Sequence, residues 1–112
     1  MPASFSLEDL ELVLRARLTD SPPGSYSATL LADPVRVQRK IMEEAFELCL
    51  ELGRGPSLDH RRTAAEAADL LFHVLAGLVG AGVGLAEVLA ELASRRTSGA
   101  CAPEPLRGGA TR

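Results

Sequence analysis

The chain has 112 residues, enough for one domain, and its 46% apolar and 24% charged residues are typical of a chain that buries a core. Its 19 leucines and 17 alanines, with 4% aromatic residues and no tryptophan, favour helices over a β-sheet. The net charge of −3 leaves no surplus of positive charge for binding nucleic acid.

Cysteine usage and the terminal sequence exclude further classes of protein. Cys49 and Cys101 are too few for a disulfide framework or a zinc site, and Cys49 is interpreted as a small buried apolar residue. The longest uncharged apolar stretch, 74–86, is too short to span a bilayer. The first residues lack the basic segment of a signal peptide. We therefore expect a soluble, cytoplasmic, all-α protein with no membrane or nucleic-acid partner.

Four apolar-periodic segments, the second with a short lead-in, are separated by breaks rich in proline and glycine. Ser6 and Asp9 have the spacing of a capping box at the start of the first helix, and Asp33-Pro34 is typical of the start of a longer one. On the last helix, Leu85, Val88, Leu89 and Leu92 are predicted to face inwards. The predicted segments are 7–18, 26–32 (the lead-in), 34–52, 58 or 63 to 79, and 85–96.

These segments predict an α-hairpin bundle of four to five helices that forms a single domain over residues 1–96. Residues 97–112 are rich in proline, glycine, serine and alanine, and are expected to form a flexible tail.

Acidic residues form one stripe on each of the two central helices. At 100° per residue, Glu44 and Glu47 fall on the same side of one helix, together with Glu51. On the next helix Glu66, Asp69 and His73 share a stripe, and almost every other position is apolar. A helix that is apolar on nearly all sides is buried, so its polar stripe must face another polar stripe or water.

Four convergent carboxylates repel one another strongly unless a cation lies among them. Ligands that are all carboxylate oxygens suit Mg²⁺ or Mn²⁺ better than zinc. The pattern therefore predicts a Mg²⁺ site formed by Glu44, Glu47, Glu66 and Asp69.

Structural explanations of the same residues remain open at this point. The glutamates could be a solvated helix face next to Lys40, and Glu66 could cap a helix with Thr63. His73 alone is more often a satisfied core histidine than a ligand. Asp69 resists such an explanation, because a bare charge is costly within an apolar run.

The order Glu43-Glu44-x-x-Glu47, eighteen intervening residues and Glu66-x-x-Asp69 resembles the signature of the all-α, MazG-like nucleotide pyrophosphohydrolases. Three further stretches narrow the resemblance, across about residues 5–96, to the phosphoribosyl-ATP pyrophosphohydrolase family of histidine biosynthesis. They are the stretch from Gly24 to Leu31 (GSYSATLL), that from Lys40 to Ala45 (KIMEEA) and that from Glu66 to His73 (EAADLLFH).

The resemblance implies Mg²⁺-dependent hydrolysis of 1-(5-phosphoribosyl)-ATP to 1-(5-phosphoribosyl)-AMP and pyrophosphate by a homodimer of MazG-like helical bundles. It assigns the metal to Glu44, Glu47, Glu66 and Asp69, and a further ion or the attacking water to Glu43. Lys40 and the pairs Arg36/Arg39 and Arg95/Arg96 are candidates to hold phosphates. The substrate-binding residues expected from these stretches and from the last helix are Ser25, Tyr26, Lys40, His73 and Arg95.

Two other functions compete with this expectation. A MazG-like house-cleaning enzyme, acting on noncanonical or pyrimidine nucleoside triphosphates, would share the acidic residues but not require the Ser-Tyr-Ser segment. A helical dimerisation or regulatory module would carry the same acids for structural reasons. Phe46 and Phe72 depart from the family pattern, as does the somewhat long loop 53–62, which puts the shape of the substrate pocket in doubt.

Overall fold

The computed structural model describes residues 4–20 and 22–97, and these form five α-helices without a β-strand. The expected all-α bundle is therefore confirmed. The greater part of the predicted tail, residues 98–112, lies outside the described residues. The helices are α1 (Leu7–Thr19), α2 (Tyr26–Leu31), α3 (Pro34–Leu52), α4 (His60–Ala81) and α5 (Leu85–Thr97), with a 3₁₀ turn at Gly55–Ser57.

The starts of α1 and α3 are those predicted from the capping residues. The N–H of Asp9 donates to Ser6 Oγ at 3.1 Å, and the N–H of Ser6 donates to Asp9 Oδ2 at 3.0 Å, which completes the capping box. Asp33 accepts a hydrogen bond from the N–H of Arg36 at 3.1 Å, and Pro34 occupies the first helical position. Local side-chain chemistry thus sets where both helices begin.

Helix α4 begins at His60, between the two predicted starts at 58 and 63, and it extends beyond the predicted end at 79. Asp59 caps it by accepting from the N–H of Arg62 at 3.0 Å, and the hydroxyl of Thr63, already inside the helix, donates to the carbonyl of Asp59 at 2.8 Å. Thr63 is therefore not an N-cap, and the capping-box explanation of Glu66 is wrong. The helix continues to Ala81 because Gly82, at φ 78°, supplies the left-handed C-cap.

Helices α3 and α4 form an antiparallel hairpin that makes the most extensive contact in the fold. A Cβ on Gly77 would lie 3.1 Å from Val37 Cγ1 and 3.4 Å from Ile41 Cδ1, so the glycine allows the helices to approach closely. At the opposite end of the hairpin, Arg62 contacts Glu51 at 3.3 Å. The buried core residues are Leu14, Leu30, Val37, Leu75, Ala76, Val79 and Leu85.

Helix α5 is attached to α1 at its first turn. Glu11 accepts a hydrogen bond from the N–H of Leu85 at 2.8 Å, and this bond holds the pKa of the Glu11 carboxyl below its usual value. Leu85 is buried as predicted. The prediction that Leu89 and Leu92 face inwards is wrong for the single chain, because α5 packs mainly on α1 and leaves them 44% and 52% exposed.

The outer side of α3 carries a stripe of exposed apolar side chains: Val35, Met42, Phe46 and Leu50. They lie seven, four and four residues apart, which is one face of a helix, and their exposed fractions run from 55% to 72%. Cys49, expected to be buried, is exposed beside them. The single chain therefore leaves a continuous apolar surface uncovered.

By length and composition alone, α4 could cross a membrane, although only 22% of its most apolar 18-residue window is buried in the chain. The core helix of a soluble protein meets the same criterion, so this is weak evidence. The sequence prediction that no segment spans a bilayer considered only the uncharged stretch 74–86, whereas this 18-residue window of α4 includes charged residues. A lipid-facing position for α4 would also place Glu66 and Asp69 at membrane depth, where charges are costly.

The two glycines on α4 give opposite expectations for stability. We expect Gly77→Leu to lower the free energy of unfolding by about 1–3 kcal/mol or more, because a larger side chain collides with α3. Gly80→Ala should raise it by about 0.5–1 kcal/mol, since an added Cβ would lie 3.7 Å from Leu31 in ordinary contact. Urea unfolding followed by circular dichroism measures both, and a Gly77→Leu variant of wild-type stability would contradict the close contact.

Candidate metal centre

Carboxylates from α3 and α4 meet where the two helices face each other. Each of Glu44, Glu66 and Asp69 places a carboxylate oxygen so that the three atoms all lie within 4.8 Å of one another. We call these three residues the carboxylate cluster. The i, i+3 spacing of Glu66 and Asp69 puts both on the face of α4 that meets Glu44. The structure thus brings together three of the four residues predicted to hold a metal.

The remaining two predicted acids lie at the edge of the cluster. Glu47, one turn after Glu44, is exposed, and its charge acts directly on Glu66. Glu43 is also exposed, and its Oε1 forms an ion pair with Lys40 Nζ at 3.3 Å. Neither residue belongs to the group of three, although both border it.

Glu66 carries the least compensated charge of the cluster. Its Oε1 is buried and has no hydrogen-bond partner. Burial, and then the neighbouring charges of Glu47, Asp69 and Glu44, raise the pKa of Glu66 above its usual value. A buried carboxylate oxygen without a donor is uncommon in a folded protein, and a bound cation would satisfy it.

Lys40 compensates part of this negative charge. Its Nζ lies 3.1 Å from Glu44 Oε2 and 3.3 Å from Glu43 Oε1, and these two contacts raise the pKa of the ammonium group. The lysine therefore faces the acids and offsets some of their charge. Its predicted role in binding substrate stays a prediction.

Glu51 shares the acidic stripe of α3 but has a structural environment. It is buried, and its two carboxylate oxygens pair with Arg54 Nε at 3.0 Å and Arg62 Nε at 3.3 Å. Both oxygens are satisfied within the protein. Glu51 therefore fastens the end of α3 to the start of α4, and it lies outside the carboxylate cluster.

His73 is buried one turn after Asp69, and both of its ring nitrogens are engaged. Nδ1 lies 2.7 Å from the carbonyl oxygen of Asp69, and Nε2 lies 2.9 Å from the hydroxyl of Tyr26. A carbonyl oxygen can only accept, so Nδ1 carries a proton and donates to Asp69, while Nε2 shares a hydrogen bond with the Tyr26 hydroxyl. This arrangement supports the alternative of a satisfied core histidine, and a direct contact with substrate stays a prediction.

The other predicted substrate residues have mainly structural contacts in the chain. Ser25 caps α2 by accepting from the N–H of Ala28 at 3.2 Å. Arg95 pairs with Glu91 on its own helix at 3.1 Å, and α5 packs chiefly on α1. Ser25 is adjacent to Tyr26 and thus close to His73, and the predicted contact of Arg95 with substrate stays a prediction.

An aromatic group beside the cluster was not predicted from the sequence. The rings of Tyr26 and Phe72 stack with centroids 6.2 Å apart, and the guanidinium carbon of Arg36 lies 5.6 Å from the centre of the Tyr26 ring. The one signal of this aromatic group in the sequence was an isolated tyrosine and an isolated histidine, each in an otherwise apolar segment. Periodicity cannot pair side chains that are 47 residues apart, as Tyr26 and His73 are.

The donors of the cluster fit a hard divalent cation. All three ligands are carboxylates, and one buried oxygen lacks a partner. Mg²⁺ and Mn²⁺ prefer such oxygen ligands, whereas zinc prefers nitrogen and sulfur. Glu44, Glu66 and Asp69 are the residues that could hold the ion, with Glu47 within reach of Glu66.

Comparison with known proteins gives one consistent result. Residues 7–96 match the sequence model of the phosphoribosyl-ATP pyrophosphohydrolase family. A phosphoribosyl-ATP pyrophosphatase of Methylobacterium nodulans is 39% identical over 105 residues, which cover 93% of this chain and 95% of the relative. A protein of the same name from Cereibacter sphaeroides is 42% identical over 103 residues, covering 91% and 97%. A third, from Ruegeria pomeroyi, is 37% identical over 102 residues, covering 90% and 94%.

We expect Glu66→Gln to raise the thermal midpoint of the metal-free protein, because the change removes a charge that burial and three neighbouring acids oppose. The same variant should lose most of the stabilisation that Mg²⁺ or Mn²⁺ gives the wild type. Thermal unfolding in EDTA and in a series of cation concentrations measures both effects. Glu8→Gln, an exposed change on α1, is the matched control. An equal response of wild type and Glu66→Gln to the cation would contradict the assignment.

Proposed function

The chain belongs to the phosphoribosyl-ATP pyrophosphohydrolase family, and we propose that it hydrolyses 1-(5-phosphoribosyl)-ATP to 1-(5-phosphoribosyl)-AMP and pyrophosphate. This is the second step of histidine biosynthesis. The observation that carries the proposal is the carboxylate cluster with its unpartnered Glu66 oxygen. Hydrolysis of a phosphoric anhydride requires positive charge on the phosphate oxygens and an activated water, and such a cluster can hold the cation that supplies both.

We assign the cation, Mg²⁺ or alternatively Mn²⁺, to Glu44, Glu66 and Asp69, with Glu47 as the fourth ligand. When bound, the ion would polarise the phosphate oxygens and lower the pKa of a coordinated water. The protein supplies position: α3 and α4 hold the carboxylates on opposing faces, and Lys40 reduces the repulsion at Glu44. Glu43, at the exposed edge, is assigned to a further ion or to the attacking water.

Removal of a ligand should abolish turnover while the helices remain. We expect Glu47→Gln and Asp69→Asn each to lower kcat for phosphoribosyl-ATP by roughly 10²–10⁴-fold, since several kcal/mol of charge stabilisation are lost. Release of pyrophosphate with and without Mg²⁺ measures this, and circular dichroism checks the helix content. Glu8→Gln, remote from the cluster, should keep wild-type activity.

A panel with dCTP, dUTP and ATP completes the experiment. Turnover of phosphoribosyl-ATP alone supports the histidine-pathway function. Turnover of the ordinary triphosphates instead would replace it with the house-cleaning function. Wild-type turnover in Asp69→Asn would overturn the assignment of the metal ligands.

We further propose that the enzyme is a homodimer that works in the cytoplasm, as expected for an enzyme of nucleotide substrates. The support is the exposed apolar stripe of α3, defined above by Val35, Met42, Phe46 and Leu50, together with the small buried fraction of α4. Monomers rarely expose a contiguous apolar patch of this kind. A second copy would cover this surface through a self-complementary contact, and it would equally explain the apolarity of α4.

Phe46→Lys tests the dimer. Because Phe46 is 64% exposed in the single chain, the variant should fold, yet a charge in the interface should weaken association at least tenfold. Sedimentation equilibrium should give twice 11.8 kDa for the wild type and a mass nearer 11.8 kDa for the variant. Glu8→Lys carries a new lysine at an exposed, charged position and should remain dimeric. A monomeric wild type, or a dimeric Phe46→Lys, would exclude this interface.

A further inference from the structure

The proposed substrate is a polyanion, and the cations that could bind its phosphates are not equivalent in the structure. Lys40 is engaged with two carboxylates, and Arg95 is paired with Glu91. Arg39 and Arg96 are exposed, and among the described residues neither side chain forms an ion pair or a cation–π contact. Of the five cationic candidates offered by the sequence, Arg36 alone is partly buried, lies over an aromatic ring and has no carboxylate partner in the described part of the chain.

The contacts of Arg36 fix the guanidinium group without neutralising it. Its Cζ lies 5.6 Å from the Tyr26 ring centre, a cation–π distance. Among residues 4–20 and 22–97, no carboxylate lies within ion-pair distance of it. A cation–π contact does not neutralise a guanidinium, so its N–H donors remain available to another acceptor, and a phosphate is the acceptor whose geometry matches them.

The position of Arg36 along α3 places it close to the carboxylate cluster. Arg36, Lys40 and Glu44 are spaced by four residues, so they follow one another along the same side of the helix. Two helical turns put Arg36 about 12 Å from Glu44 along the axis. A nucleotide triphosphate that carries a second phosphorylated ribose extends well beyond the phosphates bound at the metal, so one of its anionic groups can reach this distance.

Tyr26 is in turn held by a buried residue. Its hydroxyl and Nε2 of His73 form a hydrogen bond of 2.9 Å, and Nδ1 of His73 donates to the carbonyl of Asp69 at 2.7 Å. The rings of Phe72 and His73 pack against Tyr26 from two directions. The orientation of the Tyr26 ring, and with it that of Arg36, is thereby tied to the turn of α4 that carries Asp69.

We propose that Arg36 binds a phosphate group of the substrate outside the metal centre, and that His73 is a positioning residue that acts through Tyr26 to hold Arg36 in place. The inference rests on the proposed function and assigns Arg36, rather than Lys40, as the principal phosphate-binding cation. It gives His73 an indirect role in place of a direct contact with substrate.

Steady-state kinetics with phosphoribosyl-ATP test the role of Arg36. Arg36→Met should raise KM by roughly 10- to 100-fold, as expected for a lost hydrogen bond to a charged group, while kcat changes little because the interaction is the same in the ground and transition states. Arg36→Lys should recover part of the loss. Arg61→Gln, an exposed arginine on α4, is the control and should leave both constants unchanged. An unchanged KM in Arg36→Met, or a KM increase in Arg39→Met instead, would overturn the assignment.

A double-mutant cycle tests the positioning role. Tyr26→Phe keeps the ring under Arg36 but removes the hydrogen bond to His73, and it should raise KM by a few-fold. In the Arg36→Met background the same change should have no further effect on KM, because the residue it positions is absent. A purely structural role would lower the thermal midpoint and leave the two KM effects multiplicative, and that result would reject the inference.

Failure of the proposed function can be distinguished from failure of the role assigned to Arg36. If the wild-type protein does not turn over phosphoribosyl-ATP, calorimetric titration with inorganic phosphate in EDTA, which keeps cations out of the carboxylate cluster, still measures anion binding at Arg36. Wild type should then bind phosphate at least tenfold more tightly than Arg36→Met. Equal dissociation constants would overturn the role of Arg36, whatever the substrate is.

Discussion

Repulsion among carboxylates at the centre of the α3–α4 hairpin is the constraint on which the rest of the structure depends. The cluster of Glu44, Glu66 and Asp69 opposes the packing of the two helices, and Glu66 bears most of the cost. One contact on each side of the cluster holds the two helices together. The apolar contact of Val37 with Gly77 lies at one end, and the ion pair of Glu51 with Arg62 lies at the other.

This arrangement explains why acids on the two facing stripes have different roles. Glu51 is satisfied by two arginines and contributes to folding, whereas Glu66, on the facing helix, keeps an unpartnered oxygen. A carboxylate that is fully paired has little to gain from a cation, while an uncompensated one gains a great deal. Whether an acid fastens the two helices or is left to bind a cation therefore depends on where the arginines lie. The pattern of acidic residues alone does not give this information.

The helices were predictable because their ends are set by local chemistry. The capping box of Ser6 and the Asp33-Pro34 start are contacts within four residues, which a sequence displays directly. The facing acids were predictable because a helix apolar on nearly all sides leaves a single polar stripe. The capping role of Thr63 was wrong because Asp59 stands four residues earlier and competes for the same turn.

Predictions that depended on distant partners failed or were not available. Leu89 and Leu92 were assigned to the interior from periodicity, and Cys49 as a small apolar residue, yet all three are exposed in the chain. Periodicity reports that a face is apolar, and it does not report whether that face is covered by the same chain or by another. For the same reason, the contact between Tyr26 and His73 had no counterpart in the sequence pattern.

The placement of the cations completes the account of the site. A cation next to the cluster, such as Lys40, is attracted to the protein's own carboxylates and loses most of its capacity to bind an incoming anion. A cation that is to bind phosphate must be kept away from those acids and yet be held in a fixed position. A cation–π contact with an aromatic ring achieves both, because it holds a guanidinium near the ring without neutralising its charge. Arg36 on Tyr26 meets this requirement, and the buried His73 supplies the rigidity that an exposed tyrosine lacks.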